Sequence, residues 1–236
     1  MTARIAVLAS GGGSNLQAIL DHFDRLGERR GGNVVLVASD RANSGALERA
    51  TRRDIPTVVL ATDKQPARAS LADALAEHEV DLIVLAGYLR LVPASVVDRY
   101  AGRIINVHPA LLPAFGGPGM FGLRVHHAVI EAGVRVSGVT AHFIDNEYDR
   151  GRIIAQWPVP VFGTDDAGTL AARVLRVEHI VYPRVVDAVA SGRTTLGNCA
   201  LIGATDSGIV DTRPSFTLLS HEDSRLVENI ELALGC

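Results

Sequence analysis

The sequence is poor in cysteine and in net charge, and each shortage removes a class of protein. Only two cysteines, Cys199 and Cys236, occur in 236 residues, and they have no C-x-x-C spacing. That pattern supports neither a disulfide framework nor a cysteine zinc site, so a reducing compartment is expected. Lys+Arg number 23 against 26 Asp+Glu, a formal charge of -3. No broad cationic field is available for phosphate backbones or anionic lipid, and no nucleic-acid partner is expected. No apolar run is long enough to span a bilayer, and the first one, Ile5 to Ala9, is too short for a signal segment. These absences predict no membrane partner and a cytoplasmic location. With 47% hydrophobic residues and no repeat or low-complexity linker, the chain has the material for an α/β core and is not a disordered one.

What is present is a series of short apolar runs: 4–10, 33–39, 57–60, 81–87 and 103–107. They are almost unbroken in Val, Ile and Leu, as in parallel strands covered on both faces. The segments Asn15 to Arg25, Ser44 to Arg53 and Ala69 to Glu79 carry Leu, Ala and Ile at three- and four-residue spacing, which predicts crossover helices. Residues 108–122 hold three prolines and four glycines and predict a shaped loop. A helix near Val125 to Ala132, a run at 136–144, a strand at 153–162 and a long helix after Asp165-Asp166 through about Ala190 follow. Pro158 and Pro160 suit an edge strand. The tail from 195 has only weak strand-like pieces (TLLS, ENIELAL).

Two motifs carry chemistry. Ser10-Gly11-Gly12-Gly13-Ser14-Asn15 joins the first strand to the first helix, where free N–H groups and the helix dipole attract a phosphate or carboxylate. It is no Walker A motif, and the dinucleotide pattern fails at Leu16, although Asp40 at the end of the second strand keeps a nicotinamide reading open. Asn106 and His108 lie two apart at the carboxyl edge of the sheet and so face the same way. With Asp149 in the turn after the run containing His142, they form donors for an oxyanion and a carboxylate beside an imidazole, expected to keep that ring protonated. No serine or cysteine nucleophile is needed, which is the equipment for direct attack of an amine on an activated carbonyl. His126-His127 lack a third metal ligand, so no metal is expected. His142 reads as a satisfied core group or as a support behind the reacting residues and not as a catalyst, and Trp157, Met120 and Phe121 as packing or loop anchors. The Arg29-Arg30 and Arg52-Arg53 pairs read as solvated helix-end charges.

Five segments in this order, LASGGGSNLQAIL (8–20), VLAGYLRLV (84–92), INVHPALLPAF (105–115), AHFIDNEYDRG (141–151) and VEHIVYP (177–183), resemble the folate-dependent formyltransferases, and among them the phosphoribosylglycinamide formyltransferases. The resemblance covers about 1–195. It implies a Rossmann-like α/β fold with a central sheet of seven strands, six of them parallel, and helices on both faces. It implies a catalytic domain over 1–195 and a C-terminal extension over 196–236. The implied reaction moves a formyl group from 10-formyltetrahydrofolate, a co-substrate and not a tightly bound cofactor, to the amino group of 5'-phosphoribosylglycinamide (GAR) in purine biosynthesis. Asn106, His108 and Asp149 match the catalytic residues. Gly13, Ser14 and Asn15 match the loop for the GAR phosphate, and Glu178 the ribose contact. Leu89, Arg90, Leu91 and Val92, with residues 145–149 including Asp145, match the pterin segments, where Asn106 and Asp149 also contribute. Lys64, or Arg68 in its place, matches a basic substrate contact. The chain departs from the pattern at Gly12, in the stretch 114–127, and at Arg150, where a glycine is common. A 10-formyltetrahydrofolate hydrolase is the alternative; an added N-terminal regulatory domain is expected there, whereas the first strand starts here at residue 4. A methionyl-tRNA formyltransferase needs a larger C-terminal domain. A monomer or homodimer is expected.

Overall fold

The computed structural model describes residues 2–61 and 69–197, together with Leu232. The expected strand-like pieces of the tail, apart from Leu232, and both Lys64 and Arg68 lie outside the described residues. Seven strands, β1 (Ala3–Leu8), β2 (Gly32–Ser39), β3 (Thr57–Val59), β4 (Leu82–Leu85), β5 (Ile104–His108), β6 (Val136–Phe143) and β7 (Ile153–Pro160), form one sheet in the order β3-β2-β1-β4-β5-β6-β7. β6 alone runs against the rest: it is antiparallel to β5 and to β7, while the other pairs are parallel. β7 lies at the edge, where Pro158 and Pro160 cost no ladder bond on the free side.

Among the described residues the sheet is accompanied by the α-helices α1 (Ser14–Leu26), α2 (Gly45–Thr51), α3 (Leu71–Glu77), α4 (Ala94–Arg99), α5 (Leu123–Glu131) and α6 (Ala167–Ala190). Alternation along the strands divides the core in two. Ile5, Val7 and Ala9 pack with residues of α1, α2, α5 and α6, whereas Ala6 and Leu8 pack with residues of α3 and α4. The sequence signal missed α4, a six-residue helix starting after Pro93; so short a segment shows less than two turns of periodicity. α6 begins with a reciprocal cap, Asp166 accepting from the Thr169 amide while Thr169 Oγ1 accepts from the Asp166 amide. Asp165, beside it, takes both guanidinium nitrogens of Arg173 at 2.6 and 2.7 Å, which holds its carboxyl near 2. Arg53 is not merely a solvated charge: it pairs with Asp21 and Asp24 of α1.

The chain runs outward from β1 to β3, then returns so that β4 lies on the other side of β1. That reversal is the switch point at which open α/β sheets bind ligands, beyond the carboxyl ends of the strands. The glycine loop after β1 and the 86–92 segment after β4 flank it and are tied together: the Ser10 amide donates to Gly87 O at 3.0 Å and the Leu89 amide to Ser10 Oγ at 3.0 Å.

Candidate active site

A cleft of about 680 Å³ opens along this edge. The glycine loop with Glu178 forms part of its wall; Leu89–Val92 and residues 144–149 form another, and Asn106 and His108 lie in it. Every expected site residue within the described part of the chain therefore lines one cavity. Phe121 and Met120, read from sequence as anchors, line it too, as do Leu123 and His126 at the start of α5. Leu89, Leu91, Phe121, Leu123 and Tyr148 are exposed large apolar groups at this one cleft, the apolar lining expected for a flat organic ligand.

The register of the sheet assembles the polar centre. Asn106 on β5 is paired with His142 on β6, and Asn106 Nδ2 lies 3.2 Å from His142 Nε2. His142 Nδ1 lies 2.9 Å from Phe143 O. A carbonyl only accepts, so Nδ1 bears the hydrogen, and Nε2 is left to accept from the Asn106 amide. His142 thus fixes which way the Asn106 side chain is turned. The sequence reading of His142 as a core or supporting group leaves room for this role but not for its partner, since only the strand register brings it opposite Asn106.

His108 is 3% exposed. Its Nε2 donates to Phe115 O at 2.8 Å, which leaves Nδ1 as the atom that gains or loses a proton. Nδ1 faces Asp149 Oδ2 at 3.7 Å, and His142 Nε2 faces Asp149 Oδ1 at 3.7 Å. The expectation that the carboxylate keeps His108 protonated is corrected: burial lowers the ring's proton affinity by more than Asp149 and the Phe115 carbonyl raise it. His142 is likewise shifted down by burial. His126 is pushed down to about 4 by burial and by the neighbouring histidines. At neutral pH Asp149 therefore faces neutral imidazoles.

Asp149 has a left-handed backbone, φ 53°, and one carboxylate oxygen accepts the Gly117 amide at 2.8 Å. Two residues on, a Cβ on Gly151 would stand 1.7 Å from Phe143 O, so this turn closes only around glycine at 151. The non-glycine Arg150 does not disturb it, because the left-handed residue is Asp149 itself. The loop 115–117 therefore holds both chemical groups, His108 through a carbonyl and Asp149 through an amide.

At the other end, Gly13 caps α1 with φ 72° and no side-chain bond. A Cβ there would meet Ala46 Cα at 2.6 Å. Asn15 Nδ2 donates to Glu178 Oε2 at 2.6 Å, and Asn15 Oδ1 is buried without a partner. Burial raises the Glu178 carboxyl to about 7 against the opposing Asn15 bond. Four residues along α6, the Tyr182 hydroxyl donates to Leu85 O at 2.8 Å and lies 3.2 Å from Ile105 O. This pins the helix over β4 and β5 and so delivers Glu178, on the same face one turn earlier, to the cleft.

Among the described residues no cluster of three His, Cys, Asp or Glu suits a metal ion, and no helix is long and apolar enough to cross a membrane. A family model described as formyl transferase matches residues 3–186. A curated protein of Arabidopsis thaliana, phosphoribosylglycinamide formyltransferase, chloroplastic, is 43% identical over 195 residues; the match covers 80% of this chain and 66% of that protein's length. The crystal structure of glycinamide ribonucleotide transformylase 1 from Symbiobacterium toebii superposes with a TM-score of 0.72 at 42% identity, covering 81% of this chain and 89% of that one. A formyltetrahydrofolate deformylase from Pseudomonas syringae pv. tomato superposes as well, TM-score 0.72, at 27% identity and with 82% and 63% of the two chains covered. Sequence motifs, sheet order, cleft and relatives agree, and the chain belongs to the formyl transferase family.

Proposed function

We propose that this chain transfers the formyl group of 10-formyltetrahydrofolate to the amino group of GAR, giving formyl-GAR and tetrahydrofolate for purine synthesis. The observation that carries the reading is the placement of the Asn106, His108 and Asp149 group and an anion-ready glycine loop in one cleft. The relative named phosphoribosylglycinamide formyltransferase and the solved glycinamide ribonucleotide transformylase support it, and they are more similar than the deformylase, at 43% and 42% against 27% identity.

Gly13, Ser14 and Asn15 take the phosphate at the start of α1, and Glu178 accepts from the ribose hydroxyls. Leu89, Arg90, Leu91, Val92 and Asp145 line the pterin end, with Lys64 or Arg68 as a basic contact. A volume of about 680 Å³ lies within the range that holds a cofactor-sized ligand. Asp149 and the lone pair of His108 Nδ1 are both acceptors 3.7 Å apart. That gap is too long for a direct hydrogen bond and is spanned by one donor within about 2.9 Å of each. The substrate amine fits there, donating to both acceptors. Its nitrogen bonds to the formyl carbon as its proton passes to the Asp149–His108 pair. Asn106 Nδ2, held by His142, donates to the developing oxyanion, and His108 Nδ1–H joins it once charged. The bond from carbon to N10 then breaks and the held proton goes to N10. No proton is gained or lost overall.

The catalytic domain is taken as 1–195 with 196–236 as an extension, the location as cytoplasmic and the assembly as a monomer or homodimer. Initial rates of GAR-dependent tetrahydrofolate formation by wild type, Asn106→Ala and His108→Ala test the assignment. Losses of roughly two or more powers of ten in kcat are expected; variants that retain wild-type rates contradict it.

A further inference from the structure

The glycine loop is held from behind by α2. Ser44 Oγ donates to Gly11 O at 2.8 Å, and the Ala46 amide donates to the same carbonyl at 3.2 Å. Arg49 Nε donates to Gly12 O at 2.8 Å, and its Nη1 donates to Gln17 Oε1 of α1 at 3.1 Å. The two elements approach so closely that a Cβ on Gly45 would lie 3.1 Å from Gly12 Cα.

These bonds decide where the amides point. In a trans peptide the C=O and the following N–H are directed oppositely. With the carbonyls of Gly11 and Gly12 turned toward α2, the N–H groups of Gly12 and Gly13 face away from it, on the side where Gly11, Gly12 and Gly13 line the cleft. Neither amide has a protein acceptor among the described residues.

Arg49 also brings charge. It is half-buried, and among the described residues it has no carboxylate partner; its bonds go to a carbonyl and a side-chain amide oxygen. Its charge reaches α6: burial lowers the proton affinity of His179 and the Arg49 charge adds to that, and His179 Nε2 is buried without a partner. Arg49 does not line the cleft. A guanidinium bonded to the rear of a peptide whose front is a free N–H polarises that N–H toward an anion.

Resting on the reading that this loop receives the GAR phosphate, we propose that Arg49 is a positioning residue for phosphate recognition: through the Gly12 carbonyl it aims and polarises the Gly13 amide, and it supplies a cation behind the loop. It acts on the phosphate of the substrate and not on the transferred group.

The test compares wild type, Arg49→Met and Arg49→Lys in steady-state assays with GAR and with dephosphorylated GAR, at two salt concentrations. In wild type the phosphorylated substrate is strongly preferred. Arg49→Met raises KM for GAR by roughly ten- to a hundredfold, with much smaller changes in kcat and in KM for the folate, and with KM for the dephosphorylated substrate nearly unmoved. Arg49→Lys keeps the charge but not the two-point fork, and falls between. The salt dependence of GAR binding weakens in Arg49→Met. If wild type discriminates and Arg49→Met discriminates equally well, Arg49 merely packs the loop and the proposal is overturned. If wild type turns over GAR without preferring its phosphate, the placement of phosphate on the loop fails, and this proposal fails with it. Should Arg49→Met not fold, Arg49→Lys decides alone: a threefold or greater selective loss supports the proposal, and an unchanged KM overturns it.

Discussion

Replacing Asp149 by asparagine removes a charge while keeping the shape of the site. The remaining side-chain oxygen can still accept the Gly117 amide, which lies 2.8 Å from the carboxylate. The new amide nitrogen faces His142 Nε2 at 3.7 Å, too far to compete for the lone pair that already accepts from Asn106. The turn therefore survives, and the loss is electrostatic. A carboxylate and an imidazolium 3.7 Å apart attract by about 4.5 kcal/mol at an effective dielectric constant of about 20. The Asp149 side chain is 13% exposed, so solvent screens part of this. Losing most of it, together with the proton acceptor itself, lowers kcat by roughly two to four powers of ten. Tetrahydrofolate release is followed at saturating GAR and folate, with thermal melting as the control for folding. A melting point near wild type with the rate collapsed is the expected pair of results. If Asp149→Asn keeps more than about half the wild-type kcat/KM, the carboxylate neither holds the proton nor supports His108.

Three further outcomes follow from the same geometry. Glu178→Gln tests a stability linkage. The native carboxyl is raised from 4.5 to about 7, so its stabilising contribution is present at pH below 4.5 and is lost as pH rises through 7. Glutamine has no charge to bury, so the unliganded variant should exceed wild type by up to about 3 kcal/mol in urea unfolding at pH 8, with little difference near pH 4.5, while its KM for GAR rises; a pH-independent gap refutes the cause. Gly13→Val places a branched side chain at φ 72° against Ala46 Cα. In calorimetric titration GAR binding should weaken strongly while folate binding changes little, and the reverse would put the wrong ligand on this loop. Gly151→Ala drives a methyl into Phe143 O, so melting should fall by a loss of at least roughly 2 kcal/mol, with activity reduced through the displaced Asp149 turn; an unperturbed melt contradicts the packing.

The parts of this molecule written in local periodicity were readable without coordinates. The buried parallel strands appear as Val/Ile/Leu runs, the edge strand is betrayed by Pro158 and Pro160, and the start of α6 is marked by Asp166. Asn106 and His108 were found because alternation along one strand places them on one side. What the sequence could not supply depends on contacts between distant segments. His142 matters because β6 pairs with β5 in one register. Arg49 looks like any exposed-face helical arginine until α2 packs on the glycine loop. The protonation of His108 was misjudged because a nearby carboxylate was foreseeable and the depth of burial was not. The 114–127 stretch, which departs from the family pattern, contributes the Phe115 carbonyl and the Gly117 amide, and backbone groups leave no trace in residue identity.

On the proposed reaction the bound amine, and not water, is the acceptor of the formyl group. The direct measurement is the initial rate of tetrahydrofolate formation from 10-formyltetrahydrofolate with and without GAR. Product that appears only with GAR, in step with formyl-GAR, is the predicted result. Equal turnover in its absence, with release of formate, would contradict the account and make the chain a hydrolase.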